Sequence, residues 1–129
     1  MLREVSKRFQ NAVRSYDMVT RYGGDEFLIV LNRCKPDSAM SRAENLRQAI
    51  GGKPIAAGSE ARQVTISMGV ALSPDYRAGS VAEIVHAADT ALYAAKGLGR
   101  NCVRLANPNA TNKKELPNHF ESALLTSET

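Results

Sequence analysis

Apolar residues at the start of the chain recur at helical spacing. Leu2, Val5, Phe9, Ala12 and Val13 share one side, with Arg3, Lys7, Arg8, Gln10 and Asn11 on the other, so the chain begins inside an amphipathic helix. Two β-prone runs follow, Met18–Tyr22 and Phe27–Leu31, separated by Gly23-Gly24-Asp25-Glu26, which reads as a hairpin. The second run is apolar at consecutive positions, as a strand covered on both faces requires. Asp37 or Ser38 is positioned to cap a second helix with Ala39, Met40, Ala43, Leu46 and Ile50 on its apolar side, ended by Gly51-Gly52 and Pro54. After a polar loop, Val64, Ile66, Met68, Val70 and Leu72 alternate with Thr65, Ser67, Gly69 and Ala71, predicting a strand with one large-apolar and one small-residue face. Ser80-Val81-Ala82-Glu83 has the form of a capping box. The helix it opens carries Val81, Ile84, Val85, Ala88, Leu92 and Ala95 and stops near Gly97, before a short strand over 101–105. From Asn107 the chain is polar and holds two prolines. Leu116, Phe120 and Leu124 mark a weak docking helix at most, and disorder is the expectation.

A length of 129 residues suits one domain, divided by these patterns into residues 1–106 and a tail over 107–129. No apolar run is long enough to span a bilayer, and the first residues have no signal-peptide pattern. Cys34 and Cys102 lack metal-ligand spacing and are too few for a disulfide framework, so a cytoplasmic location is expected. The net charge of +4 is compatible with a phosphate-bearing ligand. Its basic residues are scattered and do not interleave with aromatics, which argues against nucleic acid as a partner.

Three local patterns carry candidate chemistry. At Gly23-Gly24 the chain is free to take positive φ and a ligand can approach the backbone closely. The consecutive carboxylates of Asp25 and Glu26 form an arrangement that a divalent cation would relieve. Taken alone, such a turn is more often only a turn, and regular strand geometry would send the two side chains to opposite faces. Lys96 and Arg100, four residues apart at a helix end, can converge on a polyphosphate. Without further context they read as cations favouring the helix dipole. Arg14 and Asp17 form an RxxD pattern, in which the arginine fork can donate to guanine O6 and N7 while the carboxylate accepts from N1 and N2. The plain alternative is a helix-end ion pair. His86 and His119 have no acid or metal partner at useful spacing.

The ordered set changes these readings. Arg21-Tyr22-Gly23-Gly24-Asp25-Glu26-Phe27, then Val64-Thr65-Ile66-Ser67-Met68-Gly69, then Ala88-Asp89-Thr90-Ala91-Leu92-Tyr93-Ala94-Ala95-Lys96, then Gly99-Arg100-Asn101, resembles the GGDEF family of diguanylate cyclases from about Leu2 to Val103. The resemblance implies an α/β sandwich of the nucleotidyl-cyclase palm type, an antiparallel sheet with flanking helices. It also implies condensation of two GTP into cyclic di-GMP by a homodimer that uses Mg²⁺ or Mn²⁺. Carried over by position, Asp25 and Glu26 are catalytic and metal-binding, and Gly23 and Gly24 lie against the nucleotide. Lys96 and Arg100 hold phosphate, and Arg14 and Asp17 form a product-inhibition site. The following helix often adds a basic residue to that site, but Asn45 stands at the aligned position here, flanked by Arg42 and Arg47. Asp89 is expected to be structural.

Complete domains of the family open with a strand bearing a metal-ligating Asp and a helix that reads guanine. Neither has a counterpart before the first helix here, so the isolated chain is expected to lack robust cyclase activity. A missing central strand would also leave neighbouring edges unpaired and the small-residue face of the 64–72 strand exposed. The alternative to an enzyme is a non-catalytic module that binds cyclic di-GMP through the RxxD site. The intact glycine and acidic positions favour the enzyme.

Overall fold

The computed structural model describes residues 2–21, 23–73, 81–107 and 122–128. In chain order these residues form α1 (Leu2–Ala12), β1 (Met18–Arg21), β2 (Glu26–Asn32), α2 (Pro36–Gly51), β3 (Ile55–Ala57), β4 (Glu60–Arg62), β5 (Ser67–Leu72), α3 (Val81–Gly97), β6 (Val103–Leu105) and β7 (Ser122–Glu128). The main sheet has the order β1-β2-β7-β5-β6, and β3 and β4 form a separate hairpin. Every pairing in the main sheet is antiparallel except β5 with β6, whose parallel alignment follows from the crossover through α3.

Helices cover both faces. Val5 and Phe9 of α1 and Ala39, Ala43, Leu46 and Ile50 of α2 pack with Phe27, Ile29 and Leu31 of β2 and Met68, Val70 and Leu72 of β5. Phe9 meets Phe27 edge-on, with ring centroids 5.3 Å apart. On the opposite face a second cluster joins Ala71 to Ala88 and Ala91 of α3, with Ala106 beside them. The alternation of large and small residues in β5 therefore separates two packing modes, bulky toward α1 and α2 and thin toward α3. Gly69 fixes the closeness of α3: a Cβ there would lie inside contact distance of the Ala88 carbonyl oxygen and 2.5 Å from the Leu92 nitrogen. The α/β sandwich expected from the sequence is present.

Several boundaries move for physical reasons. Lys35 is the N-cap of α2, without a side-chain cap bond, because Pro36 enters at the first turn with its φ already helical. The expected caps, Asp37 and Ser38, lie within the helix. At the other end of α2, Arg8 donates to the carbonyl of Ile50 (3.1 Å), an acceptor that the helix terminus leaves unsatisfied, and to those of Lys53 (2.6 Å) and Pro54 (2.9 Å) in the loop that follows. The polar loop after α2 contains the β3–β4 hairpin, whose Gly58 takes the positive φ of +65° that a tight turn uses. Val81, expected on the apolar stripe of α3, is 66% exposed, and the buried positions lie further along the helix. The Ser80 cap and the weak helix at Leu116 and Phe120 lie outside the described residues.

The largest correction concerns the C-terminus. Residues 122–128 are not a disordered tail but the central strand of the sheet. All seven pair with Asn32–Glu26 of β2, and residues 123–128 pair with Leu72–Ser67 of β5. Leu125 has no exposed surface and sits between Ile29 and Val70 in the register. The edges expected to be unpaired are therefore paired, and the small-residue face of β5 is covered, with Ser67 and Ala71 both buried. The driving force is hydrogen bonding on both sides. Two facing strand edges strongly favour any extended segment able to fill the gap, and Leu125 supplies a buried apolar anchor at its centre.

Candidate active site

The β1–β2 hairpin carries the glycine turn at one end of the sheet. Arg21 bridges that turn by donating from Nε (3.0 Å) and a terminal nitrogen (2.5 Å) to the Gly24 carbonyl. Gly24 does not use a left-handed conformation. A Cβ at Gly24 would meet nothing within 4 Å, so this glycine opens space over the backbone rather than relieving strain. Asp25 lies in the bend, exposed, and is not bound by strand alternation, whereas Glu26 is the first residue of β2 and half-buried. Because Phe27, Ile29 and Leu31 point into the α1–α2 core, Glu26 belongs to the face on which α3 lies.

The cationic pair sits at the same end of the sheet. Lys96 is in the last turn of α3 and Arg100 in the loop that follows. That loop is attached to the first residue of β5, since the Asn101 amide donates to Ser67 Oγ at 3.1 Å. Register connects it to the glycine turn: Glu26 pairs with Glu128, and Glu128 pairs with Ser67. Two strand spacings, about 10 Å, therefore separate the start of β2 from the start of β5. The glycine turn leads into one end of that interval, and the loop of Arg100 is tied to the other.

The RxxD pattern lies elsewhere. The Asn32 amide donates to Asp17 Oδ1 at 2.9 Å, placing Asp17 at the far end of β2, about 20 Å along the strand from Glu26. The Asp17 side chain has no exposed surface, and its carboxylate is engaged by the Asn32 amide, the Arg14 amide (3.0 Å) and the Arg42 guanidinium (2.7 Å). Burial alone would raise its pKa. The hydrogen bonds from Arg42 and the two amides outweigh that, and the carboxyl is held below its ordinary value. The Arg14 side chain does not reach Asp17; it donates to Tyr16 Oη at 3.0 Å. Of the two arginines that flank Asn45 on α2, Arg42 is the one that reaches this carboxylate, and Asn45 itself is exposed.

Arg47 points away from that cluster, engaging Glu44 and donating to Asn101 Oδ1 at 2.7 Å. His86 is exposed, Cys34 is buried and Cys102 is half-buried; both cysteines are free. Among the described residues no three His, Cys, Asp or Glu side chains converge as a metal-binding group. Asp25, exposed in the bend, and Glu26, half-buried at the start of β2, are oxygen donors of the kind Mg²⁺ takes, one or two carboxylates with substrate phosphates and water completing the octahedron. No helix among the described residues is long and apolar enough to cross a membrane.

With this geometry in hand, comparison with known proteins gives the family. The sequence model described as "Diguanylate cyclase, GGDEF domain" matches residues 1–102, and the chain belongs to the GGDEF family. Diguanylate cyclase A of Treponema denticola is 39% identical over 109 residues, which cover 84% of this chain and 29% of that protein. Among solved structures, the GGDEF domain of PA1120 (YfiN or TpbB) from Pseudomonas aeruginosa superimposes with a TM-score of 0.77 at 32% identity, covering 84% of this chain and 67% of that one. The GGDEF domain of DgcB from Caulobacter crescentus, solved in complex with c-di-GMP, gives a TM-score of 0.72 at 28% identity, covering 81% of this chain and 62% of that one. The chain thus spans less than a third of the length of its curated relative.

Proposed function

We propose that this chain is a GTP-binding nucleotidyltransferase module of the diguanylate cyclase type. The observation that carries the reading is the shared end of the sheet, where Gly23–Glu26 lead into the start of β2 and the loop of Arg100 is tied to the start of β5, two strand spacings or about 10 Å away. Gly23 and Gly24 leave room for the nucleotide against the backbone. Lys96 and Arg100 neutralise the β- and γ-phosphates and favour departure of pyrophosphate. Asp25 and Glu26 are the groups that would hold Mg²⁺ or Mn²⁺, which supplies charge neutralisation at the phosphates when bound. In the overall reaction each GTP 3′-oxygen forms a bond to the α-phosphorus of the other GTP. Each Pα–O–Pβ bond breaks and two pyrophosphates leave with cyclic di-GMP. Because each nucleotide attacks the other, two loaded copies must meet face to face.

The alternative, a purely cyclic di-GMP-binding module, is disfavoured by the burial of the Asp17 carboxylate, which already accepts from Arg42 and two backbone amides.

The test is calorimetric titration of the chain with GTP and MgCl2, alongside chromatographic detection of cyclic di-GMP. Loss of either phosphate-binding cation, by Lys96→Ala or Arg100→Ala, should weaken GTP binding roughly 10-fold or more, since one charge-assisted hydrogen bond is worth about 1.5–3 kcal/mol. Asp25→Asn should remove the dependence of that binding on MgCl2. Wild-type affinity for GTP in all three variants would sink the proposal.

A further inference from the structure

The loop that bears Arg100 has an unusual backbone. Gly99, Arg100 and Asn101 all have positive φ, at 106°, 65° and 48°. Left-handed conformation is natural for glycine and tolerated by asparagine, but an arginine adopts it only when its surroundings impose it. Those surroundings are visible. The Arg100 amide donates back to the Ala95 carbonyl at 3.1 Å and the Gly99 amide to Lys96 at 3.3 Å, closing the end of α3. Asn101 is then tied in two further directions, to β5 through its amide on Ser67 Oγ and to α2 through its side-chain oxygen, which accepts from Arg47 at 2.7 Å. Arg47 is itself braced, because its guanidinium lies against the Glu44 carboxylate one turn earlier. The Cys102 carbonyl, next along, accepts from the Met68 amide at 2.9 Å, so the loop has no slack beyond Asn101.

We propose that Arg47 and Asn101 form a positioning clamp for the phosphate-binding pair. Without touching a ligand, they hold Arg100 in its strained conformation so that it and Lys96 present two cations in fixed relation. The inference rests on the reading of Lys96 and Arg100 as phosphate ligands, and it adds α2 to the machinery of the site. The glutamate–arginine–asparagine chain explains why a guanidinium is used at position 47. It engages a carboxylate on its own helix through Nε and an amide oxygen on a different element through a terminal nitrogen, a geometry that suits the rigid, planar fork of a guanidinium.

The experiment is calorimetric titration of the full chain with sodium tripolyphosphate in MgCl2, a probe that reports phosphate binding without guanine. Arg47→Gln and Asn101→Gly are compared with wild type, with Arg100→Ala, and with Arg47→Gln/Arg100→Ala. Asn101→Gly keeps the net charge and permits positive φ, so it removes the clamp alone and remains informative if Arg47→Gln folds poorly. Each clamp variant should weaken binding by about 5- to 10-fold, the scale expected when a liganding group loses its pre-organised position. In the Arg100→Ala background, Arg47→Gln should add less than about 2-fold, because positioning has no object once Arg100 is gone. Wild-type affinity in Asn101→Gly beside weak binding in Arg100→Ala would overturn the clamp and leave the phosphate reading intact, as would equal effects of Arg47→Gln in both backgrounds. No binding by wild type, or no effect of Arg100→Ala and Lys96→Ala, would instead remove the phosphate reading and the clamp with it.

Discussion

Replacing Arg42 with methionine tests the ionic centre at the far end of β2. The substitution keeps most of the aliphatic stem and removes the guanidinium that donates to Asp17 at 2.7 Å. What remains is a carboxylate with no exposed surface and only the Arg14 and Asn32 amides as donors. Losing one partner of a buried pair costs about 3–5 kcal/mol when nothing else satisfies the survivor. Here two amide donors survive, and one terminal nitrogen of Arg42 is buried without a hydrogen-bond partner, so its removal returns about 1–3 kcal/mol. The balance is a net destabilisation of about 2 kcal/mol. Asp17→Asn should cost about 3 kcal/mol, because it strands the guanidinium instead. The double variant should be less destabilised than the sum, with coupling of at least ~1 kcal/mol. Urea denaturation followed by circular dichroism measures all three. The pair also sets a pH dependence. Because the folded-state pKa of Asp17 is lowered, its stabilisation is complete above the ordinary aspartate value of about 3.9 and disappears as pH falls through the depressed value. Wild type should therefore lose stability more steeply than Asp17→Asn on acidification below about pH 4. An Arg42→Met protein within ~0.5 kcal/mol of wild type, with an unchanged acid limb, would refute the reasoning.

Two further substitutions test the packing. Gly69→Ala drives a methyl group into the backbone of α3 at Ala88 and Leu92, where neither atom can rotate away, so a loss of about 3 kcal/mol or more is expected in thermal or urea unfolding. Stability near wild type would mean that α3 does not seat on β5 this closely. Leu125→Asp separates a central strand from a loose tail. In the sheet it buries a charge between two helical layers and should cost about 3 kcal/mol or more, whereas on a disordered tail it would be neutral. A variant that melts with wild type would dispose of β7.

Much of the fold was legible because local pattern and final environment agree. The helical stripe of Val5 and Phe9, the apolar run of β2 and the large–small alternation of β5 each describe the layer that the strand or helix eventually meets. The candidate site was legible as residue types in order: a glycine pair, two carboxylates, and two cations a helical turn apart. Position, partner and orientation were not. Nothing in residues 122–128 announces a central strand, because the segment is short, polar at its ends and separated from β6 by a polar stretch. It becomes a strand only because β2 and β5 present facing rows of unsatisfied amides and carbonyls. The RxxD pattern was visible, but pairing its aspartate with Arg42 rather than Arg14 depends on how α2 crosses β2, a long-range fact.

What the chain order determined by itself is chemistry that depends on neighbours in sequence. Helical and strand periods, the turn glycines and the run of acidic and basic side chains all fall in this class, since backbone sterics and side-chain spacing act over a few residues. Tertiary structure alone decided which of those groups share a place. Register carried Glu26 across β7 to Ser67 and so to the loop of Arg100, while it sent Asp17 to the opposite end of the sheet. Hydrogen-bond ladders and burial join residues a hundred positions apart, and no local rule encodes that choice.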